Sequence, residues 1–280
     1  MKKYLWLIIA FSLILIGCIV FGGVMMALDW DFSKLSTEKY ATNEYTFSEE
    51  IQNISIMTNT ADITVIPCES ETSRIVCYEQ QNLLHTVTVA DGTLSIRLND
   101  SRKWYDYIGI GFSTPKITLY IPQKEYNKIS LKASTSDIHM ECLHAEGMDL
   151  AVTTGDITVS NTTCLKDVKI QVSTGKTNLS DLWCQNLFTD GDTGDITLKN
   201  VIAAEKFDIE RTTGDVKFES CDAGEISVET DTGNVTGSLR TEKIFIAETD
   251  TGCVDVPHCI TGGKCEIETD TGNIKITVGE

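Results

Sequence analysis

A phrase ending in Thr-Gly returns every 19 or 20 residues through the second half of this chain, and that spacing constrains the fold more than any other feature. The Gly column reads Ser136, Gly155, Gly175, Gly194, Gly214, Gly233, Gly252 and Gly272, with Ser in place of Gly at the first position. Thr135, Thr154, Thr174, Thr193, Thr213, Thr232, Thr251 and Thr271 precede them. A fixed short period marks a stacked repeat, because one such unit cannot bury its apolar face without neighbours.

Apolar columns flank the Gly column. Seven residues upstream stand Ile129, Met148, Val168, Leu187, Phe207, Ile226, Phe245 and Cys265. Five upstream stand Leu131, Leu150, Ile170, Thr189, Ile209, Val228, Ala247 and Ile267, and similar columns lie two and four residues downstream. Polar residues fill most positions between, so each coil reads as two half-buried strands on either side of a turn. Thr189 breaks its column. Phe188 precedes it and Asp190-Gly191 follows, the pattern a one-residue bulge would leave. At the turn, Gly accepts positive φ, and the Asp or Asn that follows it in six coils bonds nearby backbone.

A coil this short cannot hold a βαβ crossover of roughly 30 residues. Hairpin turns are also missing between most of the strands. The expected fold is therefore all-β, a parallel β-solenoid of about nine coils, with right-handed winding favoured because parallel crossovers are nearly always right-handed. An earlier coil reads at Ile54, Ile56, Ala61, Ile63 and Val65. Residues 68–128 interrupt the repeat. Within them Arg74–Glu79 alternates like a strand, Thr86–Ala90 and Thr93–Leu98 flank an Asp91-Gly92 hairpin turn, and Lys116–Ile121 ends at Pro122. This insertion is expected to cap the amino-terminal end of the stack. The last coil, near Ile274 and Ile276, is expected to lie uncapped and to offer its edge to another strand or a second copy.

The amino terminus is a separate region. Lys2 and Lys3 precede an uncharged run from Tyr4 to Leu28, long enough as a helix to cross a hydrocarbon core of about 30 Å. The two lysines place the start in the cytoplasm and the rest outside. The organisation expected is a transmembrane anchor over 1–28, an irregular polar stalk over 29–50, and the solenoid over 51–280. Leu15-Ile16-Gly17-Cys18 also resembles a lipoprotein processing site, and ordinary signal cleavage is a further alternative. All three leave the solenoid outside the membrane.

The chain has 23 basic and 41 acidic residues; without Lys2 and Lys3 the outer part holds 21 against 41, a net of −20. Such a surface repels nucleic acid and attracts cations or basic peptides. Nine cysteines lie beyond Cys18, an odd number that cannot all pair within one chain. Cys164 and Cys184 share a column in adjacent coils, where either a disulfide or a ladder of small buried thiols would fit.

Catalytic motifs are missing. There is no Gly-x-Ser-x-Gly elbow, no His-Glu-x-x-His and no Cys-x-x-Cys, and the four histidines fall in unrelated contexts. Cys253, His258, Cys259 and Cys265 have no familiar zinc spacing. Asp192, Asp195, Asp231, Asp250 and Asp270 gather near the turns and are the weak candidates for calcium, which takes six to eight oxygens. The same residues serve as turn formers. Glycan cleavage by paired carboxylates would need a concave acidic groove. Trp104, Tyr105, Tyr107, Ile108, Ile110 and Phe112 crowd into the insertion, as a cap seal or as anchors for a partner. No cofactor is expected.

The strand KITLYIP at 116–122, the coils ISLKASTSDI and TTGDI, and the amino-terminal anchor together resemble the bacterial putative-adhesin domain family, which includes LiaG-like membrane proteins of envelope-stress clusters. The resemblance covers residue 50 to the end. It implies a β-solenoid outside the membrane, without known catalytic residues or an established ligand. The expected function is a non-catalytic envelope scaffold or adhesin, with a calcium-binding, ion-responsive module as the alternative.

Overall fold

The computed structural model describes residues 2–35, 38–100 and 113–279. The chain divides into two units, residues 1–40 with 102–113, and residues 41–101 with 114–280. Among its described residues the first holds the helix Lys2–Ala27 and the 3₁₀ turn Phe32–Leu35. Over Trp6–Ala27 the helix has a mean hydropathy of 2.8, so it is long and apolar enough to cross a membrane.

The second unit is a parallel stack, as the period dictates. Upstream of the Gly column, Leu150 lies between Leu131 and Ile170 in register, and Met148 between Ile129 and Val168. Downstream, Ile157 lies between Ile138 and Thr177. The columns point inward: Ile129, Leu131, Leu150, Ile157, Val159, Val168, Leu187, Ile196, Leu198 and Phe207 are all buried. Phe207 and Phe218, from opposite sides of one coil, stack across the core with ring centroids 6.3 Å apart. The five coils from Ser136 to Gly214 also have a third, short side that the sequence pattern hid. Seven and nine residues after the Gly column, Leu143, Thr162, Leu182, Val201 and Cys221, then Ala145, Cys164, Cys184, Ala203 and Ala223, are buried as well.

Two corners repeat along the stack. At the Gly corner the coils approach so closely that a side chain has no room: a Cβ on Gly194 would lie 2.0 Å from the Gly175 carbonyl oxygen. Positive φ is the second reason for glycine there, +126° at Gly194. The residue after Gly builds a ladder. Asp137 Oδ1 accepts the Asp156 N–H at 2.8 Å, Asp156 Oδ1 that of Lys176 at 2.7 Å, and Asp215 Oδ1 that of Asn234 at 2.8 Å. At the other corner Cys142, Asn161, Asp181, Asn200 and Ser220 all take φ near +50°. Asn and Asp tolerate that region better than other non-glycine residues.

The structure departs from the expected pattern in several places. The stack does not follow chain order at either end. Ile54 lies between Leu94 and Ile129, and Ile63 between Ile117 and Ile138. The insertion thus supplies the outermost coil, Thr93–Asp100 with Lys116–Pro122, and the earlier coil slots beneath it. Leu83–Ala90 and Ser73–Gln80 then pair antiparallel with these two strands, and Tyr40–Phe47, expected in an irregular stalk, is a strand paired with Ser73–Gln80.

At the other end the last coil is inserted between its two predecessors. Cys265 pairs with both Ile226 and Phe245, and Ile274 with both Val235 and Val254. Ile274 and Ile276 are therefore interior, 0% and 2% exposed, and the expectation of an open edge there is wrong. Finally, no bulge lies at Asp190-Gly191. Thr189 keeps its inward place, 2% exposed, and Phe188 faces outward. The extra residue sits at Ala204–Glu205, where the register shifts on both sides.

Candidate interaction surface

Residues at even offsets upstream of the Gly column point outward, because side chains alternate along a strand. Along the stack this face changes character. Its amino-terminal half carries Lys128, Lys132 and Lys169. From the Gly194 coil onward, the position four before Gly is always acidic: Asp190, Glu210, Glu229, Glu268 and Glu248 in spatial order. Two before Gly, Asp192, Asp231, Asp270 and Asp250 add a second column. Neighbouring coils are about 4.8 Å apart, so like charges are stacked at a cost to stability.

An open depression of about 370 Å³ marks the junction between the two halves, lined by Lys132, Lys169, Gln171, Phe188, Asp190 and Asp208 among others. Phe188 is the aromatic residue on this face. The Lys169 ammonium lies 5.7 Å from its ring centroid, within cation–π range. Lys132 Nζ pairs with Asp149 Oδ2 at 3.3 Å. Two smaller depressions, of about 340 and 280 Å³, continue it through shared residues such as Lys132, Lys169 and Asp190. The result is a polar furrow with one aromatic platform, suited to non-covalent contact.

Below this face lies Arg211, 3% exposed. Its Nη1 donates to the Val172 carbonyl at 2.8 Å, across the space left by Gly191, whose added Cβ would fall 2.2 Å from that nitrogen. Nε and Nη2 have no partner among the described residues. Burial lowers the guanidinium pKa, and Asp190, Asp192 and Asp195 oppose that shift.

A buried polar network ties the amino-terminal end together. His85 Nδ1 lies 2.6 Å from Glu79 Oε2, and His85 Nε2 lies 2.8 Å from Thr58 Oγ1. Glu79 also accepts the His85 backbone N–H at 2.6 Å and Asn43 Nδ2 at 2.7 Å. Burial pushes the Glu79 carboxyl up, but the bonds from His85 and Asn43 outweigh it and hold the group below its ordinary value. Hydroxyl, imidazole and carboxylate stand in the order of a catalytic triad. All three are buried, with Thr58 3%, His85 4% and Glu79 1% exposed, and with Asn43 the group ties four strands together. Sequence reading missed it because Thr58 and His85 lie 27 residues apart.

The other candidate residues are scattered. Trp104, Tyr105, Tyr107, Ile108, Ile110 and Phe112 lie outside the described residues. Asp231, Asp270 and Asp250 stack in three successive coils, Asp192 lies two coils away, and Asp195 lies across the turn. No group of three or more His, Cys, Asp or Glu side chains among the described residues is arranged to hold a metal ion. All the cysteines are free thiols. Cys164 donates to the Glu146 carbonyl at 3.3 Å, and burial pushes the Cys77, Cys184 and Cys265 thiols up to about 12.

Comparison with known proteins agrees with this geometry. A crystal structure of a putative adhesin from Bacteroides fragilis matches 85% of this chain and 97% of its own, at 19% identity and a TM-score of 0.57. A putative lipid binding protein from Parabacteroides distasonis matches 86% of this chain and 98% of its own, at 13% identity and a TM-score of 0.51. At such identities the likeness is one of fold. No curated protein matches the chain. The Toastrack DUF4097 family profile matches residues 51–280, the whole of the predicted solenoid, and the chain belongs to that family.

Proposed function

We propose that this chain is a membrane-anchored, extracytoplasmic solenoid that makes non-catalytic contacts at the bacterial cell envelope, as an adhesin-like or scaffold module. The carrying observation is the continuous outward face of the upstream strands, with the furrow at Phe188 where its mixed half, bearing Lys132, Lys169, Asp149 and Asp167, meets its acidic half. A stack of this kind presents repeated side chains at fixed spacing, which suits extended partners better than a single small substrate. The apolar helix Trp6–Ala27 supports anchoring. The putative adhesins among the structural neighbours and the LiaG resemblance support an envelope role, with a link to envelope stress as the finer reading.

The test is surface proteolysis of intact cells, together with capture of envelope material by the detergent-solubilised chain. Digestion of the solenoid on intact cells is the expected result, as is loss of capture when Phe188→Ala and Lys169→Ala are combined. Protection from protease in intact cells would reject the extracytoplasmic placement. Capture unchanged by the double substitution would reject the furrow.

A further inference from the structure

The open end of the stack carries an inference that does not depend on the proposed function. Because the Gly272 coil is inserted inward, the Gly252 coil is outermost. Its strand Lys243–Thr251 pairs on one side only, with Gly263–Thr271. The short strand Val254–Asp255 likewise pairs only with Ile274–Val278. Among the described residues no strand covers the far side of either. The core is open here too. Phe245 and Ala247 occupy columns that are fully buried in the interior coils, yet they are only partly buried, and Val254 is 43% exposed. On the outer face Ile244 and Ile246 are 44% and 42% exposed, and Ile260, in the irregular segment before Gly263, is 92% exposed. The opposite end of the stack is closed by antiparallel strands.

A nine-residue edge strand with four consecutive apolar residues, Ile244 to Ala247, and one bare side is a template for strand addition. We propose that it pairs with the same strand of a second copy, antiparallel and centred on Ala247. This register places Glu248 opposite Ile246 of the other copy and Asp250 opposite Ile244, so no carboxylate faces a carboxylate. Like charges directly opposite would destabilise the pairing. The two-fold axis stands normal to the sheet and keeps both inner faces on one side. Phe245 and Ala247 from the two copies then share one core, and a single self-complementary contact closes both open ends.

The experiment is light scattering on the full chain in detergent micelles over a range of protein concentrations. It compares the unaltered chain with Ile246→Lys, Ile244→Lys and Ser227→Lys, the last an outward position on an interior coil. Dimers are expected for the unaltered chain and Ser227→Lys, with at least a tenfold weaker dimer for each isoleucine variant. Hydrogen exchange should slow across Lys243–Thr251 as the unaltered chain is concentrated, and stay constant in Ile246→Lys. A monomer at all concentrations overturns the proposal. So does a dimer insensitive to both isoleucine substitutions, or exchange that does not depend on concentration.

Discussion

The backbone N–H of Asn273 donates to Oδ1 of Asn234 at 2.9 Å, although 39 residues separate the two. Elsewhere along this corner the same bond spans one coil, as between Asn234 and Asp215 or Cys253 and Asn273. The longer step is the mark of the inserted coil. Close backbone contact repeats the order, since a Cβ on Gly272 would lie 1.9 Å from the Gly233 carbonyl oxygen, and one on Gly252 1.9 Å from that of Gly272. The strand Ile274–Val278 is thus held on both sides, and the strands paired on one side only are Lys243–Thr251 and Val254–Asp255.

Gly194→Ala should destabilise the protein by roughly 3 kcal/mol, combining backbone strain and overpacking against the Gly175 carbonyl. Gly147 is the control. Its nearest neighbour would be 3.8 Å from an added Cβ, so Gly147→Ala should change stability by less than about 1 kcal/mol. Urea unfolding of both variants checks the difference.

The corner ladder has one gap. Lys176 offers no acceptor to the next coil and reaches only the Asp195 carboxylate, at 3.8 Å. Lys176→Asn should complete the ladder and raise the melting temperature. Asn234→Ala removes the acceptor for Asn273 and should cost about 1 kcal/mol. Of the calcium candidates, Asp195 already accepts the Asp215 N–H, and no group of three carboxylates among the described residues is arranged around an ion, so chelator should leave the melting temperature unmoved; a clear drop would restore the calcium reading.

Much of this was legible in the sequence, and the reason is periodicity. The inward columns, the Gly corner and the hairpin at Asp91-Gly92 each follow from local chemistry that repeats. What stayed hidden was non-local. Coil order depends on which in-register partner wins, and every coil offers the same columns, so Cys265 could be placed beside Phe245 by pattern but not also beside Ile226. The short third side was obscured because Cys, Thr, Ala and Leu share its columns. The bulge expected at Asp190-Gly191 does not form because Thr189, though polar, keeps its buried place in the column. Even the second corner left a signal, Asn161, Asp181 and Asn200 at intervals of 20 and 19.

Acid should loosen the amino-terminal end first. The Glu79 carboxyl sits below its unfolded value of about 4.3, so it contributes stability above that pH and loses it as pH falls through the lower folded value. Neighbouring ionisable groups are His85, Tyr45 and Cys77. The melting temperature of the unaltered chain should exceed that of Glu79→Gln at pH 7, and the gap should close below about pH 4.

Arg211 distinguishes charge from volume. Arg211→Met retains much of the side chain over Gly191 and removes a buried cation with two unsatisfied nitrogens, so stability should hold or rise. Arg211→Ala leaves a cavity and should cost about 2–4 kcal/mol. Calorimetry on the two variants separates these effects.

The most direct measurement is of coil order. Ser227 lies opposite Glu266 in the structure, whereas stacking in chain order would set it opposite Ile246. Neighbouring strands about 4.8 Å apart place such positions within disulfide reach. Cysteine pairs at 227 and 266, and at 227 and 246, are oxidised in the folded chain, and the linked peptides are identified by mass spectrometry. The expected outcome is a 227–266 crosslink within one chain and none between 227 and 246. A 227–246 crosslink in place of 227–266 would contradict the inserted coil and the open end that depends on it.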